Sequence, residues 1–334
     1  MRIVFFIPPL SRPSGGLAVI YRMAELLAGL GHEVLLAGMS RAVHAAPAES
    51  ALPFLDWDKA DLKPRDVWCV PESWPNALAL GFRSGARTLV YAQNWVFMLG
   101  NLPPGANWSD LPVEYIAVSQ PVSWFLEKIL AVRVKAVLPP SLLDCFFTVE
   151  RKPSPAVPVR VAWMPRKNKA LAEQIQRVAL ALLRQSPEAP EILWVPLRDL
   201  APEEVAAQLA SCHIFLCSSL AEGFGLPPLE AMAAGCVPVG FAGLGGWEYM
   251  RGSALLPCCR HCVPPLPLPE RPWGANGFFV SDGDVLGAGQ ALAGAALLAA
   301  SASPVWKDLV AEGRKAAGYY SGAAMRRGLE NLFS

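Results

Sequence analysis

Short apolar runs alternate along the chain with longer segments in which apolar residues recur every three or four positions. The short runs predict strands and the longer segments predict helices. The predicted strands are residues 3–7, 33–37, 66–70, 88–92, 115–118, 160–163, 191–195, 213–217 and 237–240. The predicted helices are residues 17–30, 170–183, 202–210, 229–234, 285–300 and 304–333. Continuous apolar strands separated by helices are typical of parallel sheets covered on both faces.

The alternation is interrupted between residues 147 and 159, where proline and charged residues are frequent. We read this segment as a linker between two domains, at 1–150 and 151–318. We expect residues 319–334 to form a C-terminal helix that packs back on the first domain. The 334 residues suit two domains of roughly 150 residues each. The proline-rich stretch 256–275 predicts a long loop or insertion.

Composition excludes several classes of protein. Hydrophobic residues make up 53% of the chain and charged residues 17%, which argues against disorder. The formal net charge is +1, so no nucleic-acid partner is expected. No apolar stretch is long enough for a transmembrane helix, and the apolar run 3–7 is too short for an export signal. We expect a cytoplasmic protein, with peripheral contact at the inner face of the membrane left open.

A cluster of thiols raises the question of a metal site. Cys258, Cys259 and Cys262 lie beside His261. A zinc site needs about four ligands with workable spacing, and adjacent cysteines point in different directions. We therefore predict no metal ion, and we interpret the other cysteines as buried free thiols.

Two loops that follow predicted strands could bind phosphate. Residues 13–17 contain Gly15 and Gly16 and open the first helix, where free N–H groups and the helix dipole favour an anion. The alternative is a flexible turn. Arg166, Lys167 and Lys169 follow the first strand of the second domain and could grip a diphosphate. The alternative there is a solvated basic loop.

A third loop carries two carboxylates. Glu222 and Glu230 bracket Gly223 and Gly225 at a strand-to-helix junction. Carboxylates accept hydrogen bonds from sugar hydroxyls, and loop N–H groups donate to phosphate or sugar oxygens. Both glutamates could instead serve only the helix dipole. That alternative would account for Glu230 but not for the whole loop.

The third loop resembles retaining family-4 glycosyltransferases of the GT-B fold. The positions that match are Ser219-x-x-Glu222-Gly-Phe-Gly-x-Pro-x-x-Glu230-Ala-Met-Ala, then Gly235, Pro238-Val239 and Gly245-Gly246-x-Glu248, with further agreement at Gly31-His32-Glu33-Val34 and Val118-Ser119. Glu222 and Glu230 have the spacing of the family's Glu-x7-Glu motif. The resemblance implies an α/β fold of two doubly wound Rossmann-like domains whose parallel sheets face each other across a cleft. The first domain would take the acceptor and the second the nucleotide-sugar.

The family also implies roles for individual positions. Glu222 would hold hydroxyls of the donor sugar, and Glu230 would bind the ribose. Further donor contacts would come from Ser219, Gly223, Phe224, Gly225 and Leu226, from Arg166 with Lys167 or Lys169 at the diphosphate, and from Gly15 and Gly16. The basic residues would then replace the metal ion of other transferases.

The resemblance implies transfer of a sugar, with retention and without a metal or other cofactor, from a nucleoside-diphosphate sugar to a glycan or lipid-linked acceptor. UDP is the expected nucleotide. A nucleotide-sugar epimerase of the same fold and a non-catalytic nucleotide-sugar-binding subunit are the alternatives.

The chain departs from the family at one place. Many members carry a histidine after the fourth-strand region of the first domain, near the reacting sugar. This chain has Gln93 and Asn94 there, and we expect one of them to act in its place. Either side chain can hydrogen-bond a sugar, but neither titrates near neutral pH.

Overall fold

The computed structural model describes residues 1–10, 14–39, 50–151, 158–301 and 303–334. The described residues form two compact units, Met1–Ser141 with Ala323–Ser334, and Leu142–Gly322. The sequence divides the chain at 150, whereas contacts group residues 142–150 with the second unit. The reason is a short helix, Cys145–Thr148, which buries Phe146 and packs against helices of that unit.

The described part of the first unit contains a parallel sheet of seven strands in the order β3-β2-β1-β4-β5-β6-β7. The strands are β1 Arg2–Phe6, β2 Glu33–Gly38, β3 Phe54–Asp56, β4 Val67–Pro71, β5 Arg87–Ala92, β6 Glu114–Ala117 and β7 Val134–Val137. The helices are α1 Gly15–Ala28, α2 Leu78–Ser84 and α3 Gln120–Lys128. The strand β1 lies between β2 and β4, so the loops after β1, β4 and β5 share one edge of the sheet.

The second unit, as far as it is described, contains a parallel sheet of five strands in the order β12-β11-β10-β8-β9. The strands are β8 Val159–Trp163, β9 Ile192–Pro196, β10 Ile214–Cys217, β11 Val237–Phe241 and β12 Phe278–Val280. The helices are α4 Cys145–Thr148, α5 Lys169–Leu183, α6 Pro202–Ala210, α7 Leu226–Ala234, α8 Gly243–Gly246, α9 Val285–Ala300 and α10 Pro304–Gly318. The last helix, α11, spans Gly322–Phe333. The prediction of two α/β domains with parallel sheets is confirmed.

Burial explains why the strands carry continuous apolar runs. In the second unit α5 and α9 pack together over the sheet, and the strands β10 and β11 are buried along their length. The buried side of α5 carries Ala172, Ile175, Ala179 and Leu183, which recur at helical spacing. Side chains on both faces of the sheet are therefore part of the core, and a ligand would bind at the loops that follow the strand ends.

Two differences from the predicted elements concern the last helix and the shortest strands. The helix predicted over 304–333 ends at Gly318 and restarts at Gly322. Between the two helices Tyr319 and Tyr320 turn inward against Trp273, with ring centroids 5.5 Å and 6.3 Å away. Three short strands of three or four residues were not predicted, namely β3, β7 and β12. Pro13, residues 152–157 of the predicted linker and residues 40–49 lie outside the described residues.

Within the described ranges no single helix is long and apolar enough to cross a membrane. The pair Val285–Ala300 and Pro304–Phe333 meets that criterion only together, across a bend of 107°.

Candidate functional site

Two loops of the second unit meet because their strands are neighbours in the sheet. β8 pairs with β10, with Trp163 opposite Leu216, so the loops that follow them leave the same edge. Ser218 Oγ donates to the carbonyl oxygen of Lys167 at 2.5 Å and ties the loops together. The sequence placed a basic loop and a carboxylate loop at strand ends, and the register brings them into contact.

Glu222 and Lys167 form the centre of this contact. Lys167 Nζ lies 2.6 Å from Glu222 Oε1, and Ser219 Oγ donates to the same oxygen at 2.5 Å. The side chains are 18% exposed for Glu222 and 29% exposed for Lys167. Among the described residues no hydrogen bond uses Oε2 of Glu222. The partly buried pair therefore holds one carboxylate oxygen and leaves the other for a ligand.

The glycine-bearing loop between Glu222 and α7 is fixed from behind. Gly225 caps α7 with φ +84°, a conformation that favours glycine. Tyr249 Oη donates to the carbonyl oxygen of Gly225. Phe224 is 4% exposed and packs against Tyr249 and Tyr320, with ring centroids 5.5 Å and 5.3 Å away. The side chain of Phe224 is thus part of the core, and only its backbone can serve a ligand.

Gly245 explains part of the motif that follows. Its N–H donates to the carbonyl oxygen of Glu222 at 2.8 Å. A Cβ at Gly245 would lie 2.1 Å from the backbone of Gly223. The short helix α8 can therefore pack on the loop only because it lacks a side chain at this position. The sequence signalled Gly245 by its spacing, and the structure supplies the physical reason.

A pocket of about 370 Å³, including its open mouth, lies beside these loops. The polar part of its wall comes from Lys167, Ser218, Ser219 and Glu222. The rest of the wall is formed by strand ends and the start of α7, including Met164, Phe215, Gly225, Pro227, Pro228 and Phe241. The pocket combines a cation, a carboxylate and a helix N-terminus, which together suit a ligand with both phosphate and hydroxyl groups.

The helix predicted over 229–234 begins at Leu226, so Glu230 is its fifth residue and lies one turn from its start. It is half-buried and is not part of the pocket wall. Burial raises the pKa of the Glu230 carboxyl to about 7, and attraction to Arg166 and Lys167 opposes that rise. Its protonation state therefore changes near neutral pH.

The other two cations of the basic loop are not part of the pocket wall. Arg166 is exposed, and Lys169 is 59% exposed as the first residue of α5. Lys169 Nζ lies 3.6 Å from Glu173 Oε1, one turn along the same helix. Of the three predicted cations in this described loop, Lys167 is the one that lines the pocket.

In the first unit the predicted residues meet at the edge shared by β1 and β5. Ser14 Oγ caps α1 by accepting from Leu17 N at 3.1 Å, and the helix starts at Gly15. A Cβ at Gly16 would lie 3.0 Å from Gln93 Oε1, so the glycine leaves room for the Gln93 amide. Asn94 Oδ1 accepts from Val96 N at 3.1 Å and caps a short 3₁₀ turn.

A residue that sequence reasoning missed connects this region. Glu72 follows β4 directly and is 2% exposed. Gln93 N donates to its Oε2 and Asn94 N to its Oε1, each at 2.9 Å. The sequence feature that could have indicated Glu72 is a carboxylate immediately after a buried strand.

The thiol cluster shows no metal-binding arrangement. Cys258 Sγ and Cys259 Sγ lie 3.9 Å apart, and within the described residues no group of three or more His, Cys, Asp or Glu could hold a metal ion. Five of the eight cysteines are free thiols buried in the core, namely Cys69, Cys212, Cys217, Cys236 and Cys259.

Comparison with known proteins finds a family match over the same part of the chain. The family model described as glycosyl transferases group 1 matches residues 197–251, which include Glu222 and Glu230. An α-1,6-glucosyltransferase of Actinobacillus pleuropneumoniae serotype 7 (strain AP76) is 24% identical over 219 residues, 64% of each chain. The ORF330 protein of Acidianus filamentous virus 2 (isolate Italy/Pozzuoli), named provisionally as a glycosyltransferase, is 39% identical over 64 residues, 19% of each chain. The chain thus spans about a fifth and just under two thirds of these curated relatives.

A solved structure shows the fold over the whole chain. Sucrose-phosphate synthase from Thermosynechococcus elongatus superposes with a TM-score of 0.63 at 12% identity, covering 99% of this chain and 98% of the synthase. The fold is GT-B, as predicted. Together the family match and the fold support glycosyl transfer.

Proposed function

We propose that this chain is a retaining, metal-independent glycosyltransferase that moves a sugar from a nucleoside-diphosphate sugar to a glycan or lipid-linked acceptor. The observation that carries the proposal is the Lys167–Glu222 pair in the pocket beside the N-terminus of α7. A carboxylate suits sugar hydroxyls, and a lysine beside a helix N-terminus suits a diphosphate. Retention rests on the resemblance to family-4 enzymes.

Stabilisation of the leaving group is the chemical task that the second unit is suited to. When the glycosidic bond to the nucleotide breaks, negative charge develops on the diphosphate. Pro227 and Pro228 have no N–H, so the backbone donors at the start of α7 come from residues 224–226. Those N–H groups and the Lys167 ammonium would then supply the positive field that a metal ion supplies in other transferases.

Glu222 is suited to orient the donor sugar. Its Oε1 is occupied by Lys167 and Ser219, which fixes the carboxylate plane, and its Oε2 faces no hydrogen-bond donor of the described residues. A sugar hydroxyl that donates to Oε2 would be held at a fixed distance from the diphosphate beside Lys167. Positioning of this kind is a large part of what a transferase must provide.

Other assignments extend the same proposal. Glu230 would accept hydrogen bonds from ribose hydroxyls, and UDP would be the nucleotide. Gly15, Gly16, Gln93 and Asn94 keep the roles that the resemblance implies. Gln93 is the better candidate of the two amides, because the side-chain oxygen of Asn94 is used as a helix cap. Peripheral contact with the cytoplasmic face of a membrane is also a prediction.

The proposal is tested by incubating the purified chain with radiolabelled UDP-, GDP- and ADP-sugars and a panel of glycan and lipid-linked acceptors. We expect label to reach an acceptor from a UDP-sugar at the same rate in EDTA and in manganese. Activity that disappears in EDTA and returns with manganese would contradict metal independence. Conversion of the donor sugar without any acceptor would indicate the epimerase, and binding without turnover would indicate a non-catalytic subunit.

A further inference from the structure

The carboxylate of Glu72 is placed to control the loop that carries Gln93 and Asn94. β4 lies between β1 and β5 in the sheet, and Glu72 is the first residue after it. Its side chain therefore starts at the edge where the loops after β1 and β5 also leave the sheet. Gly16 belongs to the first of these loops and Gln93 to the second.

Both oxygens of Glu72 are used on consecutive peptide groups. Oε2 accepts from Gln93 N and Oε1 accepts from Asn94 N, each at 2.9 Å. Two N–H groups that point at one carboxylate fix the orientation of the peptide plane between them. The backbone of Gln93 and Asn94 is thus held by a side chain from a different strand, 21 and 22 residues earlier in the chain.

Burying a carboxylate in order to hold a loop costs free energy. Glu72 is 2% exposed and belongs to none of the ion pairs found among the described residues. Isolated buried charge is destabilising unless hydrogen bonds compensate it. A neutral side chain would lose less free energy on burial. The benefit of a carboxylate here is therefore the pair of hydrogen bonds that fixes the loop geometry.

The held backbone directs the Gln93 side chain towards the turn of α1. Gln93 Oε1 would lie 3.0 Å from a Cβ at Gly16, which means that the amide fills the space left by the glycine. No hydrogen bond among the described residues uses this amide. Gln93 thus presents one donor group and one acceptor group at the edge of the sheet. Its orientation is set by the contact of its backbone with Glu72 and by the approach of its amide to Gly16.

We propose that Glu72 is a positioning residue, whose ionised carboxylate holds the backbone of Gln93 and Asn94 so that the Gln93 amide is presented to the substrate. The proposal rests on the proposed function for the use of Gln93, but the holding contact itself does not. Glu72 takes no part in bond making or breaking.

Protonation gives the contact a pH dependence. Burial raises the pKa of the Glu72 carboxyl to about 7, against the stabilising effect of the Gln93 and Asn94 N–H groups. Tyr91 on β5 is the other titratable group that interacts with it, and burial raises the pKa of Tyr91, so Tyr91 stays neutral. A protonated carboxyl has one oxygen that donates rather than accepts, so one of the two N–H contacts is lost as pH falls below about 7.

The first arm of the test measures the contact without any substrate. Hydrogen exchange by mass spectrometry on the full chain compares the peptide that contains residues 93 and 94 in wild type, Glu72→Gln, Glu72→Asp and the control Glu114→Gln. Glu114 lies on β6 of the same sheet and bonds to Arg87 and Lys135 at its surface. We expect exchange of this peptide to rise about 10-fold in Glu72→Gln, less in Glu72→Asp, and not in the control. Unchanged exchange in Glu72→Gln would overturn the holding contact.

The second arm measures transfer at saturating donor. We expect Glu72→Gln to lower kcat by about 10- to 100-fold, to leave donor affinity unchanged and to remove the fall in kcat on the acid side of pH 7. Glu72→Asp should recover part of kcat, because it restores the charge. Full kcat in Glu72→Gln with increased exchange would show that the loop position does not matter for transfer. If wild type itself transfers nothing while the exchange result holds, the proposed function fails and the holding role stands.

Discussion

The ammonium of Lys167 lies 2.6 Å from Oε1 of Glu222, across two loops that are 55 positions apart in the chain. The contact exists because β8 and β10 are hydrogen-bonded neighbours, so their following loops face each other. Lys167 uses Oε1 and no hydrogen bond of the described residues uses Oε2, so the pair can stay intact while a sugar hydroxyl binds Oε2 and a diphosphate lies beside the ammonium.

Replacing Lys167 by Ala should weaken donor binding. A hydrogen bond to a charged group contributes about 1.5–3 kcal/mol, which corresponds to roughly 10- to 100-fold in Kd. Lys169→Ala is the matched control, because Lys169 is exposed and pairs with Glu173 along α5, and it should change Kd by less than about 2-fold. Calorimetric titration with a UDP-sugar measures both. Equal effects of the two substitutions would show that Lys167 has no special position.

Donor affinity should depend on pH through Glu230. Its pKa is raised to about 7 in the folded chain, so the neutral form is favoured at lower pH and the charged form at higher pH. In the proposed role of Glu230, ribose hydroxyls donate to the charged form, so affinity should rise as pH increases through about 7. A UDP-sugar has no phosphate that titrates in this range, which isolates the effect. We expect about 10-fold tighter binding at pH 8 than at pH 6, and a flat profile in Glu230→Gln.

The same pKa has a consequence for folding. The pKa of Glu230 is raised from its usual value of 4.5 to about 7 in the folded chain. The folded state is therefore stabilised by the neutral carboxyl below about pH 4.5, and this stabilisation is lost as pH rises through about 7. Glu230→Gln should therefore stabilise the second unit at pH 8 more than at pH 5. Denaturant unfolding followed at both pH values measures this, and a larger gain at pH 5 would reverse the expected sign.

Gly245 should not tolerate a side chain. A Cβ there would lie 2.1 Å from the backbone of Gly223, so Gly245→Ala must displace the loop that carries Glu222. We expect a loss of about 1–3 kcal/mol in the free energy of unfolding. Gly318→Ala is the control, since a Cβ at Gly318 meets nothing within 4 Å and a helical alanine is favoured over glycine. Thermal unfolding that shifts equally in both variants would contradict the close approach.

The sequence predicted the parts of the site that depend on a single strand-to-helix junction. Glu222, Gly225 and Lys167 each follow a buried apolar run, and parallel strands bring such positions to one edge. It could not show that Lys169 turns away along α5, because that depends on where the helix starts. The sequence also contained no sign that the Phe224 ring is buried, because that ring packs on Tyr320, which is far away in the chain.

The role of Glu72 is the clearest example of a feature that the sequence alone does not indicate. A glutamate after a short strand carries no motif, and its meaning depends on β5 lying next to β4. The break between α10 and α11 has the same origin, because Tyr319 and Tyr320 leave the helix for contacts with Trp273 that helical periodicity does not report.

The most direct measurement of the central claim is sugar transfer by Glu222→Ala, with the affinity for UDP measured on the same preparation. The Glu222 carboxylate bonds to Lys167 and Ser219 at the pocket wall, where the side chain is 18% exposed, so the variant should fold. We expect transfer to fall by about 100- to 1,000-fold, as for loss of a group that acts on the reacting sugar, while the Kd for UDP changes by only a few-fold. Transfer by Glu222→Ala at the wild-type rate would contradict the assignment of this pocket as the donor site.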